Sequence, residues 1–425
     1  MGRAEGCPES FTFARPGALA QGFRAPASHA GGRWFESITP HLRRVTVLGV
    51  SGSIGRQTLS LLAAYPHKYR LSGVSVHRRT EALERCLVEF SPEWVAVTDE
   101  EARSDFAART RLSIPILSKE ALYERLVTDP GDIVVNGIVG AAGFWASYYT
   151  LQHPAARLAL ANKESLVFGG RWLAPFRARI VPVDSEHSAL FQCLHGEALD
   201  SVDALILTAS GGPFRGKKRP DLESIAPDQA LAHPIWKMGS RITVDSATLV
   251  NKALELIEAY WLFGLPANRL RVWVHPECIV HSLVLFRDGS MKAQLSLPDM
   301  RLPILYALAY PERETFSEGR SDLARIGCLH FEEVDEETFP SLGFARQALA
   351  QGGSAPALFN AADEVAVEAF LAGKIRFLDI FTWIAWALDQ PEAALDPADP
   401  FELAAIEKEF RRKLACHLGL PTYAG

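Results

Sequence analysis

The sequence predicts an α/β protein: a doubly wound parallel sheet first, a mixed α+β middle, and a helical C-terminal end. Three observations carry this. Short apolar runs alternate with helical segments over residues 44–184. Strand-like alternation with a hairpin signal follows in 185–309. Beyond a polar connector at 310–340, the apolar period through 341–425 is that of helices. Residues 1–43, rich in Ala, Gly and Arg, read as a tail outside this plan.

Taken in order, Arg44 to Leu48 reads as a buried strand, followed by a glycine loop and a helix to about Ala64. Leu71 to Val76, Glu93 to Val97 and Asp132 to Val135 read as further parallel strands. Ile180 to Asp184 is another apolar strand, and Asp184 and Glu186 would share one face of it by strand alternation. In the middle region, Leu207 opens a strand into the turn Ser210-Gly211-Gly212. Arg241 to Val244 reads as a short β-branched strand, with a helix opening at Asp245. Arg271 to Val274, Ser282 to Phe286 and Lys292 to Leu297 alternate as strands, the last two joined at Arg287-Asp288-Gly289-Ser290. Helices are expected over Ser354 to Ala372, Phe377 to Leu388 and Phe401 to Leu418.

Composition narrows the function classes. At 425 residues the chain exceeds one ordinary domain. A net charge of −6 argues against a nucleic-acid partner. No apolar run reaches a membrane span, since Asn136 and Asp379 interrupt the two best candidates. Six cysteines without a CxxC pair fit a reducing cytoplasm better than a disulfide framework or a zinc site. The tail lacks the apolar core of a secretory signal. A loose tail, a targeting segment and a misassigned start all remain open for it, although no methionine lies between Met1 and Met238.

Five constellations carry chemistry. Gly49, Gly52 and Gly55 lie between a strand and a helix, where glycines let the backbone approach a pyrophosphate. Steric need alone also places glycines there. After the second strand stands His77-Arg78-Arg79, where an acidic residue would hold a ribose 2′-hydroxyl; the arginines suit a 2′-phosphate, hence NADP, unless they are only solvated. Asp184 and Glu186, with Glu255 as a third oxygen ligand, suit Mg²⁺ or Mn²⁺. Spacing cannot show that pairing, because 69 positions separate Glu186 from Glu255. Asn251, Lys252 and Glu255 fall on one side of a helix near its N-terminus and suit an anionic ligand plus a cation. His233, Trp236 and Met238 follow a long polar stretch and need something apolar to cover; Gly211 and Gly212 could hinge such a lid. Asn162-Lys163-Glu164, read alone, is a helix start with a surface lysine.

The ordered motifs GVSGSIG, ANKESLV, PVDSEHSA, LTASGGPFR, HPIWKMG and VDSATLVNKALELIEA, with the His275-Pro276 to His281 segment, resemble the 1-deoxy-D-xylulose 5-phosphate reductoisomerase family over nearly the whole chain beyond the tail. The resemblance implies an N-terminal Rossmann-like NADPH-binding domain, an α+β catalytic and dimerisation domain, and a C-terminal helical bundle. It implies a cytoplasmic homodimer acting on a sugar phosphate with NADPH and Mg²⁺ or Mn²⁺, with Co²⁺ as a further candidate. Asp184, Glu186 and Glu255 would hold the metal. Lys163, Glu186, His233 and Glu255 would be catalytic, with Lys163 and Ser185 at the hydroxyl end of the substrate. Ser210, Ser246, Asn251 and Lys252 would grip its phosphate, and Trp236 and Met238 would close over it. Gly49, Ser51, Gly52, Ser53, Ile54, Arg78, Arg79, Asn162, Glu164 and Gly239 would contact the cofactor. The implied reaction is a metal-assisted skeletal rearrangement followed by hydride transfer. Val50, Ser51, Ala209, Ser240, Cys278 and the His77-Arg78-Arg79 triplet depart from the usual pattern; none is a metal carboxylate. Apart from the resemblance, a simple NADP-dependent dehydrogenase and a non-catalytic NADP-binding regulator compete as readings. Both leave the carboxylate pattern unexplained.

The tail lacks apolar periodicity, so a variant starting at His41 should keep its activity and melting temperature. A marked loss of either would make the tail part of the fold.

Overall fold

The computed structural model describes residues 42–110, 113–232, 239–316 and 318–420. Its first sheet has seven strands: β1 (Arg43–Leu48), β2 (Tyr69–Val76), β3 (Trp94–Val97), β4 (Ile116–Leu117), β5 (Ile133–Asn136), β6 (Arg157–Leu160) and β7 (Ile180–Pro182). All pair in parallel, in the order β4-β3-β2-β1-β5-β6-β7. The chain therefore runs outward from β1, returns, and runs outward again from β5. The crevice between β1 and β5 is the switch point where open α/β sheets bind ligands.

Both faces of this sheet are covered, which is why its strands are mostly apolar on both faces. Val45, Val47, Val74, Val95 and Val135 face the helices Ser53–Ala64 and Arg301–Ala309. Leu48, Trp94, Val134, Leu158 and Leu160 face the other side, with the helices Ala142–Gln152 and Glu164–Leu173. Helix Arg301–Ala309 thus returns from the middle of the chain to close the first sheet.

The second sheet comprises β8 (Val202–Ala209), β9 (Leu270–Val274), β10 (Val280–Phe286), β11 (Met291–Leu295) and β12 (Glu332–Glu333), in the order β11-β10-β8-β9-β12. The hairpin joining β10 to β11 stands where the sequence puts it. The helices Ser341–Gln351, Ala355–Leu371, Asp379–Leu388 and Pro400–His417 form the C-terminal bundle. Its first two helices pack on Val250–Phe263, and Ala355–Leu371 also packs on Glu164–Leu173.

Three expectations are corrected. Arg241 to Val244 is not a strand but part of the helix Ser240–Ala247. Its β-branched residues are accommodated because Thr243 Oγ1 donates to Gly239 O at 2.9 Å and Thr248 Oγ1 to Val244 O at 3.1 Å, closing helical turns. The helix expected to open at Asp245 instead begins at Val250, after Leu249 breaks the chain direction with φ +59°. Finally, β7 stops at Pro182; Asp184 is the N-cap, and Glu186 lies in the first turn, of helix Ser185–Leu194. The two carboxylates share a helix N-terminus, not a strand face.

The glycine loop follows local necessity. Gly49 has φ +76°, and a Cβ there would lie 2.7 Å from Gly137 O, at the end of β5. At Gly55 a Cβ would meet Val50 Cα at 2.5 Å. Gly49→Ala should therefore destabilise the protein by about 1–3 kcal/mol, read as a lowered melting temperature. An unchanged melting temperature would contradict this close approach.

Candidate active site

One cleft of about 420 Å³ opens between the first sheet, the second sheet and the helices that follow them. Ser53, Ile54 and Gln57 contribute from the glycine-loop helix. Lys163, Asp184, Ser185 and Glu186 enter from the C-terminal ends of β6 and β7. Ser210 stands just past β8, and Gly239 and Ser246 belong to the short helix Ser240–Ala247. Asn251, Lys252 and Glu255 come from one face of Val250–Phe263. Each sequence constellation except His77-Arg78-Arg79 therefore sends at least one residue to this space; Gly49, Ser51, Gly52, Asn162, Glu164, Arg78 and Arg79 do not line it, and His233, Trp236 and Met238 lie outside the described residues.

The polar heart is an alternating array of carboxylates and ammonium groups. Lys163 Nζ lies 3.0 Å from Asp184 Oδ2 and 3.1 Å from Glu255 Oε1, and donates to Asn251 Oδ1 at 2.7 Å. Lys252 Nζ donates to Glu186 Oε1 at 2.8 Å and also to Glu255 Oε2. Asn251 Nδ2 donates to Glu255 Oε1 at 2.6 Å. Ser185 Oγ donates to Glu186. Glu255 thus joins the two lysines despite its distance in sequence. Lys163 is not the surface lysine its local sequence suggests, since its side chain is only 14% exposed. Helix Glu164–Leu173 carries it at the N-cap, and packing of that helix on Val250–Phe263 draws it inward.

Two groups that sequence reasoning missed stand behind this array. His187, fully buried, presents Nε2 to Glu255 O at 2.8 Å, and its Nδ1 lies 3.5 Å from Asp184 and 3.4 Å from Glu258. Both carboxyl oxygens of Glu258 are buried without a hydrogen-bond partner among the described residues. A signal existed: each lies three residues beyond a predicted ligand, one helical turn along the same face.

The electrostatics follow from burial. Desolvation pushes the Glu186 carboxyl up to about 7, helped by Glu255 and held back by Lys252. Burial likewise pushes Glu258 to about 8, against the pull of His187. Burial also acts on Asp184, but the Lys163 ammonium and His187 outweigh it and hold that carboxyl well below the usual range. Desolvation would lower the His187 ring; Glu258 and Asp184 overcome it and bring the group to about 9. Asp184, Glu186, Glu255 and Glu258 together exceed the nearby cations Lys163, Lys252 and His187. Carboxyl groups that outnumber the cations, two of them held largely protonated near neutral pH, offer hard oxygen atoms suited to Mg²⁺ or Mn²⁺ once those protons leave. Ligating atoms of Asp184, Glu255 and His187 already lie within 4.8 Å of one another, whereas Glu186 leans to Lys252.

The cofactor residues divide. Gly52 caps helix Ser53–Ala64 with no side-chain cap bond and no acidic residue in its first turn, so its N–H groups remain suited to a pyrophosphate. Gly49 and Ser51 shape the same turn, and Arg56 Nη1 donates to Ser51 O at 2.6 Å. Arg78 is exposed and pairs with Asp99 at 2.7 Å, and Arg79 is exposed. Asn162 and Glu164 point into protein: Asn162 Nδ2 donates to Glu164 Oε2 at 2.7 Å and to Gly140 O at 3.0 Å. Cys278, a departure from the family motif, lines the cleft, as do Asp299 and Met300, which the sequence did not single out.

Family models described as 1-deoxy-D-xylulose 5-phosphate reductoisomerase, and as C-terminal domains of that enzyme, match residues 45–170, 180–263 and 295–413. A curated protein of that name from Geobacillus kaustophilus is 45% identical over 384 residues, 88% of this chain and all of that one. One from Cupriavidus metallidurans is 46% identical over 393 residues, 89% of this chain and 99% of its own. Among solved structures, the Zymomonas mobilis reductoisomerase in complex with NADPH is 36% identical with TM-score 0.82, covering 89% of this chain and 99% of that one. A further reductoisomerase, in complex with NADPH, fosmidomycin and magnesium, is 35% identical with TM-score 0.82, covering 89% and 98%.

The raised Glu186 and Glu258 carboxyls set a pH dependence. Their protonated forms favour the metal-free fold below about pH 4.5, and that contribution is lost as pH rises through about 7 and 8. A cation that takes their place as the partner of negative charge should therefore raise the melting temperature more at pH 8 than at pH 6. An equal or larger rise at pH 6, measured by differential scanning fluorimetry with and without Mg²⁺, would contradict the assignment.

Proposed function

The chain belongs to the 1-deoxy-D-xylulose 5-phosphate reductoisomerase family, and on that premise we propose that Asp184, Glu186 and Glu255 hold its divalent metal. The enzyme converts 1-deoxy-D-xylulose 5-phosphate to 2-C-methyl-D-erythritol 4-phosphate with NADPH and a divalent cation, in isoprenoid precursor biosynthesis. The observation that carries the reading is the single cleft. Ser53, Ile54 and Gln57 of the dinucleotide-loop helix wall the same space as Asp184, Glu186 and Glu255, so a nicotinamide and a metal-held substrate can meet.

When bound, the metal supplies Lewis-acid polarisation of the substrate carbonyl and NADPH supplies hydride. The remaining work is that of side chains. Lys163, hydrogen-bonded to Asn251 and beside Asp184, orients the hydroxyl end together with Ser185. Ser210, Ser246, Asn251 and Lys252 take the phosphate, where Lys252 already carries a proton firmly: burial opposes its charge, but Glu186 and Glu255 overcome that. Phosphate binding away from the reacting carbons orients the substrate. His233 is assigned to the substrate backbone, and Trp236 and Met238 to the closing loop, by resemblance.

The cofactor assignment gives Gly49, Ser51, Gly52, Ser53 and Ile54 to the pyrophosphate side and Arg78 and Arg79 to the 2′-phosphate. Gly239 belongs to the cleft wall. Asn162 and Glu164 serve as supports of the cofactor-side loop ending at Gly140. Mn²⁺ and Co²⁺ are proposed to substitute for Mg²⁺. A cytoplasmic homodimer is proposed too: the described cysteines form no disulfide, none of the described helices is long and apolar enough to cross a membrane, and edge strand β11 leaves Met291 48% exposed for a second copy.

Two outcomes are expected. Glu255→Gln should lower turnover by about a hundredfold or more, the scale of losing one preorganised electrostatic contact, and weaken metal activation while leaving NADPH binding nearly intact. Near-normal turnover, followed as NADPH oxidation with 1-deoxy-D-xylulose 5-phosphate and Mg²⁺, would overturn the metal assignment. Replacing Arg78 and Arg79 with Ala should raise the KM for NADPH and leave that for NADH nearly unchanged. Equal effects on both would remove the 2′-phosphate role.

A further inference from the structure

Helix Ser240–Ala247 is two turns long and has two unlike faces. Ile242 and Ser246 line the cleft. Arg241 and Asp245, one turn apart with Nε and Oδ2 3.6 Å from each other, belong to a buried polar hub. Arg241 Nη1 lies 3.3 Å from Glu164 Oε1 and pairs with Glu364; Nη2 donates to Asn360 Oδ1 at 2.9 Å and to Asp363 Oδ2 at 3.4 Å. Glu364 in turn pairs with Arg411 of the last helix. One guanidinium thus ties its own helix to the residue after Lys163 and to helix Ala355–Leu371 of the C-terminal bundle.

Such a hub is a poor source of net stability, because removing charges from water costs about what their attraction returns. What it supplies over apolar packing is a fixed direction: the planar fork meets several acceptors in one orientation only. The short helix needs that. Its N-cap is Gly239, with no side-chain cap bond. The turn after β8 depends on the helix as well, since a Cβ at Gly212 would lie 2.6 Å from Ser246 O. Any shift of the helix therefore moves Ser246 and presses on the turn that presents Ser210. Asp245 and Asp363 add to the fixity. Burial raises both carboxyls, Asp245 further by the charge of Asp363 and Asp363, to about 6, further by that of Glu364, while Arg241 beside them pulls both down.

We propose that Arg241 is a positioning residue for the substrate phosphate, bolting helix Ser240–Ala247 to the C-terminal bundle so that Glu364, which lines no part of the cleft, sets substrate affinity. The proposal rests on the reading that Ser210 and Ser246 hold the phosphate. The geometry gives the bundle a task beyond covering the core: it fixes one wall of a site to which it contributes no ligand.

The test is steady-state kinetics of the full enzyme with NADPH, Mg²⁺ and 1-deoxy-D-xylulose 5-phosphate. Arg241→Lys keeps the charge and loses the fork, while Glu364→Gln keeps shape and loses the ion pair. The KM for the sugar phosphate should rise about tenfold in Arg241→Lys, as expected for a misplacement well under 1 Å, and by less in Glu364→Gln. Competitive inhibition by inorganic phosphate should weaken in parallel, while kcat and the KM for NADPH stay near those of the parent. An unchanged KM in both variants would overturn the proposal. So would a lower kcat at unchanged KM, which reports only loss of folded enzyme. If Arg241→Lys does not fold, Glu364→Gln decides alone. Absence of turnover in the parent would instead refute the proposed reaction.

Discussion

The structure turns on one constraint: Glu255 and Glu258 are buried, Asp184 and Glu186 nearly so, and whatever charge the four carry must be met inside the protein. Lys163 sits between Asp184 and Glu255, Lys252 between Glu186 and Glu255, and His187 between Asp184 and Glu258. Buried charges survive only when paired or when they serve a bound ion. The positions of the helices Glu164–Leu173, Ser185–Leu194 and Val250–Phe263 follow from this, because each carries part of the array at or near its N-terminus. The packed apolar faces behind them hold that geometry in place.

This constraint also explains how two sheets serve one reaction. The parallel sheet delivers β1, β6 and β7 to the same edge, so the dinucleotide turn and the Lys163 and Asp184 segments arrive together. The second sheet delivers Ser210 at the end of β8 and its neighbours from β10 to the facing wall. Helix Arg301–Ala309 returns to cover the first sheet, so the two layers cannot separate without opening a hydrophobic core. The C-terminal bundle supports the remaining wall through Arg241.

Much of this was legible because it is local. The strand, glycine turn and helix at 43–64 announce themselves through turn chemistry and apolar runs. The alternation of strands and helices gives the doubly wound sheet, and the hairpin at Asp288-Gly289 reads directly. The errors lie where distant packing overrides local preference. Ile242, Thr243 and Val244 favour a strand as residues, but Arg241 and two threonine back-bonds hold them helical. Glu186 reads as a strand residue only if the apolar run is carried past Pro182, where β7 ends four residues earlier; Pro182 and the N-cap type Asp184 are the local marks of that end. Lys163 reads as exposed because its burial depends on a helix almost ninety positions away. Nothing local marks Glu258 as buried, and Arg241 reads as the start of a strand; only the third dimension puts protein around both. Glu255 stands out beside Asn251 and Lys252 on its helix, but only the family resemblance pairs it with Asp184, since spacing cannot join them.

The central claim is that the buried carboxylates form a cation site which the two lysines help to balance. The most direct measurement is a crystal structure with Mn²⁺, located by its anomalous scattering. The account predicts one peak bonded to oxygens of Asp184, Glu186 and Glu255. A peak on another set of ligands, or no peak with the three carboxylates still paired to Lys163 and Lys252, would contradict it.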